Sequence, residues 1–273
     1  FQPGEFAKIC LAVFFAGYLT ERRELLGVAT FRIGRINTPD PKHFAPILLA
    51  VGVSLIVVVF ERDLGSALLF FVLFMVMLYV ATGRGSYVAV GAVLFITSAW
   101  VAWTQFSHVQ DRVSTWIDPW QDPQGAGYQV IQAAYALAWG GTTGTGPGLG
   151  IAGRIPADES DFIFAIIGEE LGLLGATAVL CAFLLLAGSG LRVARRAGDA
   201  FSSLLAVGLT ALIAFQAFII IAGVIRLLPL TGVTLPFVSY GGSSLVANYV
   251  LLALLVRTSD QADRRAPAPV VAQ

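Results

Sequence analysis

Charge is scarce in this 273-residue sequence: Lys, Arg, Asp and Glu make up 12% of it, and basic and acidic residues cancel to a net charge of zero. With so little charge, no nucleic-acid partner is expected. Cysteine occurs only twice. Cys10 and Cys181 both lie inside apolar runs with no partner pattern, so buried small hydrophobes are expected, not metal ligands or redox centres. An initiator Met is missing, as is a charged region ahead of a cleavable apolar stretch. Phe1 is therefore not expected to be a natural N-terminus, and no signal peptide is expected. Runs such as "LIVVVF" and "LLFFVLFMVMLYVA" lack the polar and apolar alternation of outer-membrane barrel strands.

What fills the sequence is hydrophobic side chain, at 57%, with a mean hydropathy of +0.79. That balance belongs to an integral membrane protein. A hydrocarbon core about 30 Å thick needs roughly 20 helical residues. Seven spans are predicted, near 3–19, 45–60, 64–81, 86–106, 161–188, 201–225 and 240–257. The expected fold class is thus an all-α, multi-span helical bundle occupying residues 1–258, with a disordered cytoplasmic tail at 259–273.

Basic residues divide unequally between the two sides. Arg22, Arg23, Arg32, Arg35, Lys42, Arg84, Arg192, Arg195, Arg196, Arg257, Arg264 and Arg265 fall on one side. Only Lys8, Arg62, Arg112, Arg154 and Arg226 fall on the other, which the positive-inside rule makes the outer face. The outer face also holds the long connection 107–160, and a loop of that length usually has a function. Its "VIQAAYALAWGG" reads as a short amphipathic helix, and Trp116, Trp120, Tyr128 and Trp139 suit the headgroup belt. Its "GLGIAG" satisfies a dinucleotide pattern at Gly148, Gly150 and Gly153, but no strand precedes it, so tight turns or backbone approach to a lipid headgroup are the readings kept.

The next span opens on Asp161, which can cap the helix or face the outer water layer as a functional carboxylate. Glu169 and Glu170 would lie about 12 Å deeper in a straight helix. Glu169 would be about 80° round from Asp161 and could share its cavity, whereas Glu170 would pack against another helix. Glu5 and Lys8 stand three apart, on one helical face, and can neutralise each other. Asp63, in "FERDLGSALLFF", can cap the helix that follows. In "LLPLTGVTLPFVSYGGSSLVANY", Pro229, Pro236, Gly241 and Gly242 interrupt apolar sequence, which predicts a broken or re-entrant segment.

Six ordered stretches, "FQPGEFAKI", "RDLGSALL", "DRVSTWIDPWQDPQGAGYQ", "GTGPGLG", "IPADESDFIFAIIGEELGLLGA" and "LPLTGVTLPFVSYGGSSL", resemble the SEDS family of cell-wall polymerases, which includes RodA, FtsW and SpoVE proteins. Within it the chain is more similar to the RodA branch. The resemblance covers residues 1 to about 258 and implies a ten-helix fold of which this chain holds the last seven. It implies a peptidoglycan glycosyltransferase that joins lipid II units at the outer leaflet of the bacterial cytoplasmic membrane, in elongation or division. Its catalytic Asp falls on Asp161, expected as a general base in an inverting transfer. Expected substrate-binding or supporting residues are Glu5, Lys8, Asp63, Arg112, Tyr128, Gln129, Arg154, Glu169, Ser239, Gly241, Gly242 and Ser243.

Positive charge for the leaving undecaprenyl diphosphate is expected from Lys8, Arg62, Arg112, Arg154 or a divalent cation, Mg2+ or Mn2+, near Asp63 or Asp161. A class B penicillin-binding protein is the expected protein partner, alongside lipid II and membrane lipid. The sequence departs from the family pattern in three places: Glu61-Arg62 replaces Gln-Pro before Asp63, Gly4 replaces Ser, and "ADES" replaces "EAHT" or "ERHT". Two other classes also explain outer-face acids and a broken segment: a flippase for lipid-linked precursors, and a scaffold that activates a penicillin-binding protein.

Overall fold

The computed structural model describes residues 2–27, 31–33, 36–38, 52, 53, 56, 63–150, 155, 156 and 159–265. Helix α1 (Pro3–Gly27) leads to a two-stranded antiparallel ribbon, β1 (Phe31–Ile33) and β2 (Ile36–Thr38). Helices α2 (Leu64–Thr82), α3 (Gly85–Gln105), α4 (Ser107–Ile117), α5 (Tyr128–Gly140), α6 (Ile163–Arg196), α7 (Ala200–Val224) and α8 (Gly242–Arg265) follow.

Among the described residues, five helices are long and apolar enough to cross a membrane: α2, α3, α6, α7 and α8. Helix α1 occupies the first predicted span but also carries Glu5, Lys8, Glu21 and Arg22. The span predicted near 45–60 lies almost wholly outside the described residues. Helix α7 is apolar on every face and forms the centre, which is where an all-round hydrophobic helix must sit. It packs against α1 and α2 through residues such as Ala12, Phe15, Phe74, Met77, Leu209 and Leu212. Phe15 meets Phe74 edge-on, with centroids 4.8 Å apart. Leu184 and Leu185 on α6 and Val93 and Ile96 on α3 stay more than 60% exposed, as lipid-facing side chains do.

Three expectations change. Cys10 and Cys181 are exposed on helix surfaces, because a bilayer accepts small apolar groups without a protein core around them. Helix α8 continues to Arg265, with Arg264 Nε donating to Asp260 at 3.1 Å, so its regular structure enters the stretch expected to be disordered. The predicted single span from 161 is kinked: Gly172 adopts φ 65°, ψ −167° inside α6.

That kink explains the glycine-rich stretch before it. Breaking a helix strands carbonyls on one side and amides on the other, which a membrane protein must satisfy internally. The turn after α5 does so. Thr145 and Gly146 donate their amides to the Glu169 and Glu170 carbonyls at 3.0 Å, and Leu173 and Leu174 donate to Gly141 and Thr142 at 2.9 and 3.2 Å. Gly144 and Gly172 approach each other so closely that a Cβ on either would overlap the other's backbone, and both have positive φ. Gly172→Ala is therefore expected to cost about 1–3 kcal/mol, lowering the thermal midpoint by several degrees at roughly 2–4 °C per kcal/mol. Gly188→Ala, where an added Cβ meets nothing within 4 Å, is the control and should not lower it. Equal midpoints for the two variants in detergent would show that the kink is not required.

Candidate functional site

A cavity of about 280 Å³ opens where α4, the start of α5, the entry to α6 and the broken segment after α7 converge. Asp111, Arg112, Thr115, Trp116, Gln129, Asp161, Arg226, Leu228, Leu230 and Gly232 line it. A second, almost wholly apolar groove of about 230 Å³ lies between α2 and α3, lined by Leu64, Leu68, Phe95, Trp103 and others, and meets the cavity at Leu228.

Asp161 does not cap α6. The N-cap is Phe162, and no side chain accepts a capping bond there. The carboxylate instead faces the cavity, and the chain around it is held by the broken segment. Ser239 Oγ donates to the Ser160 carbonyl at 2.6 Å, and the Tyr240 amide donates to the Glu159 carbonyl at 2.8 Å. From the other side, Gly232 sits against both Asp161 and Arg112: a Cβ there would lie 3.8 Å from Asp161 Oδ2 and 4.0 Å from Arg112 Nη1. Those are ordinary contact distances, but Gly232 also has φ 72°, so the backbone favours glycine.

Helix α4 joins the same segment through two residues one turn apart. Arg112 Nη1 donates to the Leu230 carbonyl at 2.9 Å. Trp116 Nε1 donates to the Arg226 carbonyl at 3.0 Å, and Arg226 Nη2 returns a bond to the Trp116 carbonyl at 3.1 Å. Burial pushes the Asp161 carboxyl above its ordinary value, and the nearby negative charge of Asp63 adds to this. The Arg112 charge and a hydrogen bond with Ser160 pull in the opposite direction without cancelling it.

Asp63 is a helix cap: Oδ1 accepts from the Gly65 and Ser66 amides at 2.9 and 3.1 Å, and Oδ2 accepts from Ser66 Oγ at 2.5 Å. Of the other expected site residues, Gln129 lines the cavity and donates to the Pro156 carbonyl at 3.2 Å. Tyr128 is half-buried at the start of α5 and does not line it. Glu169 is buried, but against the glycine-rich turn rather than in the cavity. Glu170 packs beside the same turn. Ser243 Oγ accepts from the Gln2 amide at 3.0 Å, while Gly241 and Gly242 form the entry to α8. Arg62 and Arg154 lie outside the described residues.

Glu5 and Lys8 form the expected pair, at 2.5 Å, but within the bundle and away from the cavity. Lys8 also donates to Gln216 Oε1 at 2.8 Å and Asn248 Oδ1 at 3.4 Å, so it is not among the charges that line the cavity. Gln216, Thr234, Ser244 and Asn248 complete this network and were missed; the signal was a lysine in an apolar helix, which needs more acceptors than one glutamate. Arg226 was counted only as an outer-face charge, and Trp116 only as a headgroup-belt residue.

Among the described residues, no three His, Cys, Asp or Glu side chains converge as a metal site. Asp111 and Asp161 are the carboxylates that line the cavity, while Asp63 acts on the Asp161 charge from outside the lining with both oxygens held in its cap.

A family model described as cell cycle protein, FtsW/RodA/SpoVE, matches residues 1–264. The chain belongs to the FtsW/RodA/SpoVE family. It is 48% identical over 263 residues to the peptidoglycan glycosyltransferase RodA of Mycobacterium tuberculosis, covering 96% of this chain and 56% of that protein. It is 36% identical to stage V sporulation protein E of Bacillus subtilis, covering 94% of this chain and 68% of that one. Among solved structures, a chain of a peptidoglycan synthase complex that coordinates polymerization and crosslinking is similar with TM-score 0.70 and 28% identity, over 98% of this chain and 71% of that one. RodA of Thermus thermophilus shares the fold with TM-score 0.60 at 24% identity, over 98% and 67%. The chain spans little more than half the length of its mycobacterial relative.

Because folding raises the Asp161 pKa, the native state keeps this proton to higher pH than the unfolded chain. The stability it contributes is full below the ordinary carboxylate range and is lost as pH rises through the raised value. Asp161→Asn is therefore expected to gain stability relative to wild type as pH climbs from about 4 to 8. Thermal midpoints across that range test this, and a pH-independent difference would mean the carboxylate is not desolvated.

Proposed function

We propose that this family member is a peptidoglycan glycosyltransferase that polymerises lipid II at the outer face of the bacterial cytoplasmic membrane. The observation that carries this reading is Asp161, a carboxylate freed from capping and desolvated at a cavity wall beside Arg112. In the proposed step, the acceptor 4-hydroxyl oxygen bonds to the donor anomeric carbon with inversion. The bond from that carbon to the diphosphate oxygen breaks with its electron pair, and the hydroxyl proton passes to Asp161. A raised pKa makes the carboxylate a better base at neutral pH, while the Arg112 charge keeps its ionised form accessible.

Arg112 would also face the developing negative charge on the diphosphate. The apolar groove that joins the cavity at Leu228 suits the isoprenoid part of a lipid-linked substrate. A divalent cation held by Asp161 would neutralise phosphate charge when bound. A class B penicillin-binding protein is the proposed partner, in keeping with the likeness to a chain of a peptidoglycan synthase complex.

Lipid II polymerisation by the full-length protein with its partner, with and without divalent cation, tests this. Asp161→Asn is expected to remain folded and lose about 10²- to 10⁴-fold in rate. The wild-type rate should fall on the acid side with an apparent pKa above the ordinary carboxylate value of about 4. Equal polymerisation by both proteins would remove the general-base role. A folded wild type that makes no glycan would favour the flippase or scaffold alternative.

A further inference from the structure

Arg226 is one of two non-glycine residues with positive φ among the described residues, at 62°. A side chain in the left-handed region is strained, so a residue kept there needs a compensating reason. The reciprocal bonds with Trp116, and a longer one of 3.4 Å from Nη2 to the Ile117 carbonyl, fix its guanidinium at the cavity wall. Yet its Nε is buried with no hydrogen-bond partner among the described residues. A strained backbone, a fixed cation lining the cavity and an unsatisfied buried donor occur together at one residue.

The charges of the cavity wall give this arrangement a purpose. Asp111 and Asp161 supply two carboxylates, and Arg112 offers one guanidinium, whose field acts on Asp161. With Arg112 alone, the wall would repel an anion. Arg226 is the described cavity residue that removes the negative excess.

We propose that Arg226 is a binding residue for the diphosphate of the lipid-linked donor, lining the same cavity as Arg112 and forming with it a two-guanidinium cradle beside α4. The proposal rests on the glycosyltransferase reading for the identity of the ligand. The cradle holds the diphosphate before transfer and carries its added charge when the bond to the sugar breaks. Arginine suits this task because it remains charged at any working pH, and with Nη2 engaged by the Trp116 and Ile117 carbonyls it can still turn Nη1 to a phosphate oxygen.

The test uses the full-length protein in detergent and measures binding of farnesyl diphosphate, farnesyl monophosphate and farnesol. Wild type is expected to prefer diphosphate over monophosphate. Arg226→Gln should lose about ten-fold of that preference, as expected for a lost charged hydrogen bond, while farnesol binding stays unchanged; Arg226→Lys should retain part of the preference. Arg226→Gly supplies a second control, since glycine relieves the positive φ. It should lose the diphosphate preference as Arg226→Gln does, whereas a purely structural arginine would lower the thermal midpoint and leave the diphosphate preference of the folded variant unchanged. Diphosphate preference equal to wild type in both Arg226→Gln and Arg226→Gly would overturn the proposal, as would an equal loss for farnesol. Asp161→Asn is expected to keep the preference while losing polymerisation, so failure of the reaction reading can be told apart from failure of the cradle.

Discussion

A lysine ammonium enclosed in an apolar bundle is the constraint from which the rest of this structure follows. Lys8 is 2% exposed, and removing its charge from water costs several kcal/mol unless protein groups replace the solvent. Glu5 on the same helix, Gln216 on α7 and Asn248 on α8 do so. Hydrogen-bond geometry tolerates little displacement, so three helices are fixed against one another at one level. Gln216 uses its other end to donate to the Thr234 carbonyl at 2.9 Å, and Thr234 Oγ1 lies 2.6 Å from Ser244 Oγ on α8. The same network that satisfies a buried charge thus pins the non-helical segment between α7 and α8.

Once Thr234 is fixed, the flanking chain organises the cavity. Gly232 lies beside Asp161 and Arg112, Leu230 and Arg226 anchor α4, and Ser239 and Tyr240 hold residues 159 and 160. Broken backbone at membrane depth must find internal partners, and here the partners are the segments that carry the site. The Gly172 kink obeys the same rule with the turn after α5. Its partners are backbone groups at Gly141, Thr142, Thr145 and Gly146, so the glycine content of that turn serves close backbone approach. This construction makes the site a product of satisfied polar groups in an apolar setting, with side-chain packing left mainly to α1, α2 and α7.

Much of this was legible because membrane solvent simplifies the pattern. Long apolar runs gave helices α2, α3 and α7 almost to the residue and the start of α8 but not its end, and the prolines and glycines of 229–242 announced the broken segment. Burial was less legible: hydropathy does not separate a side chain facing lipid from one facing protein, which is why Cys10 and Cys181 were expected inside. The kink was hidden because a lone glycine in a long helical pattern does not mark a break by itself, and the φ of Gly172 is set by a turn thirty residues earlier in the chain. Misplacing Glu169 has a different cause: its rotation was counted from Asp161 as if that residue were helical, whereas the regular helix begins at Ile163. Ser160 and Asp161 look like caps locally, but the pull of Ser239 and Tyr240 on 159 and 160 moves the helix start to Phe162. Arg226 left no local signal, because its importance lies in a contact with α4 across the fold.

The question of whether Asp63 caps a helix or serves the site has a physical resolution, for the two roles are the same interaction seen from two sides. Its three hydrogen bonds hold the carboxylate in one position at the start of α2. Burial is the main influence raising the Asp161 pKa; Arg112 and Ser160 lower it, and from its fixed position the Asp63 charge adds a smaller upward push. A base must be stronger than a solvated carboxylate yet still able to lose its proton near neutrality, so it needs opposing influences of fixed position. A mobile acid would swing into water and its field would be screened; a capped one cannot. The helix cap is thus what makes Asp63 a steady electrostatic neighbour, and the cost of desolvating Asp161 is balanced by groups that the fold has already immobilised for structural reasons.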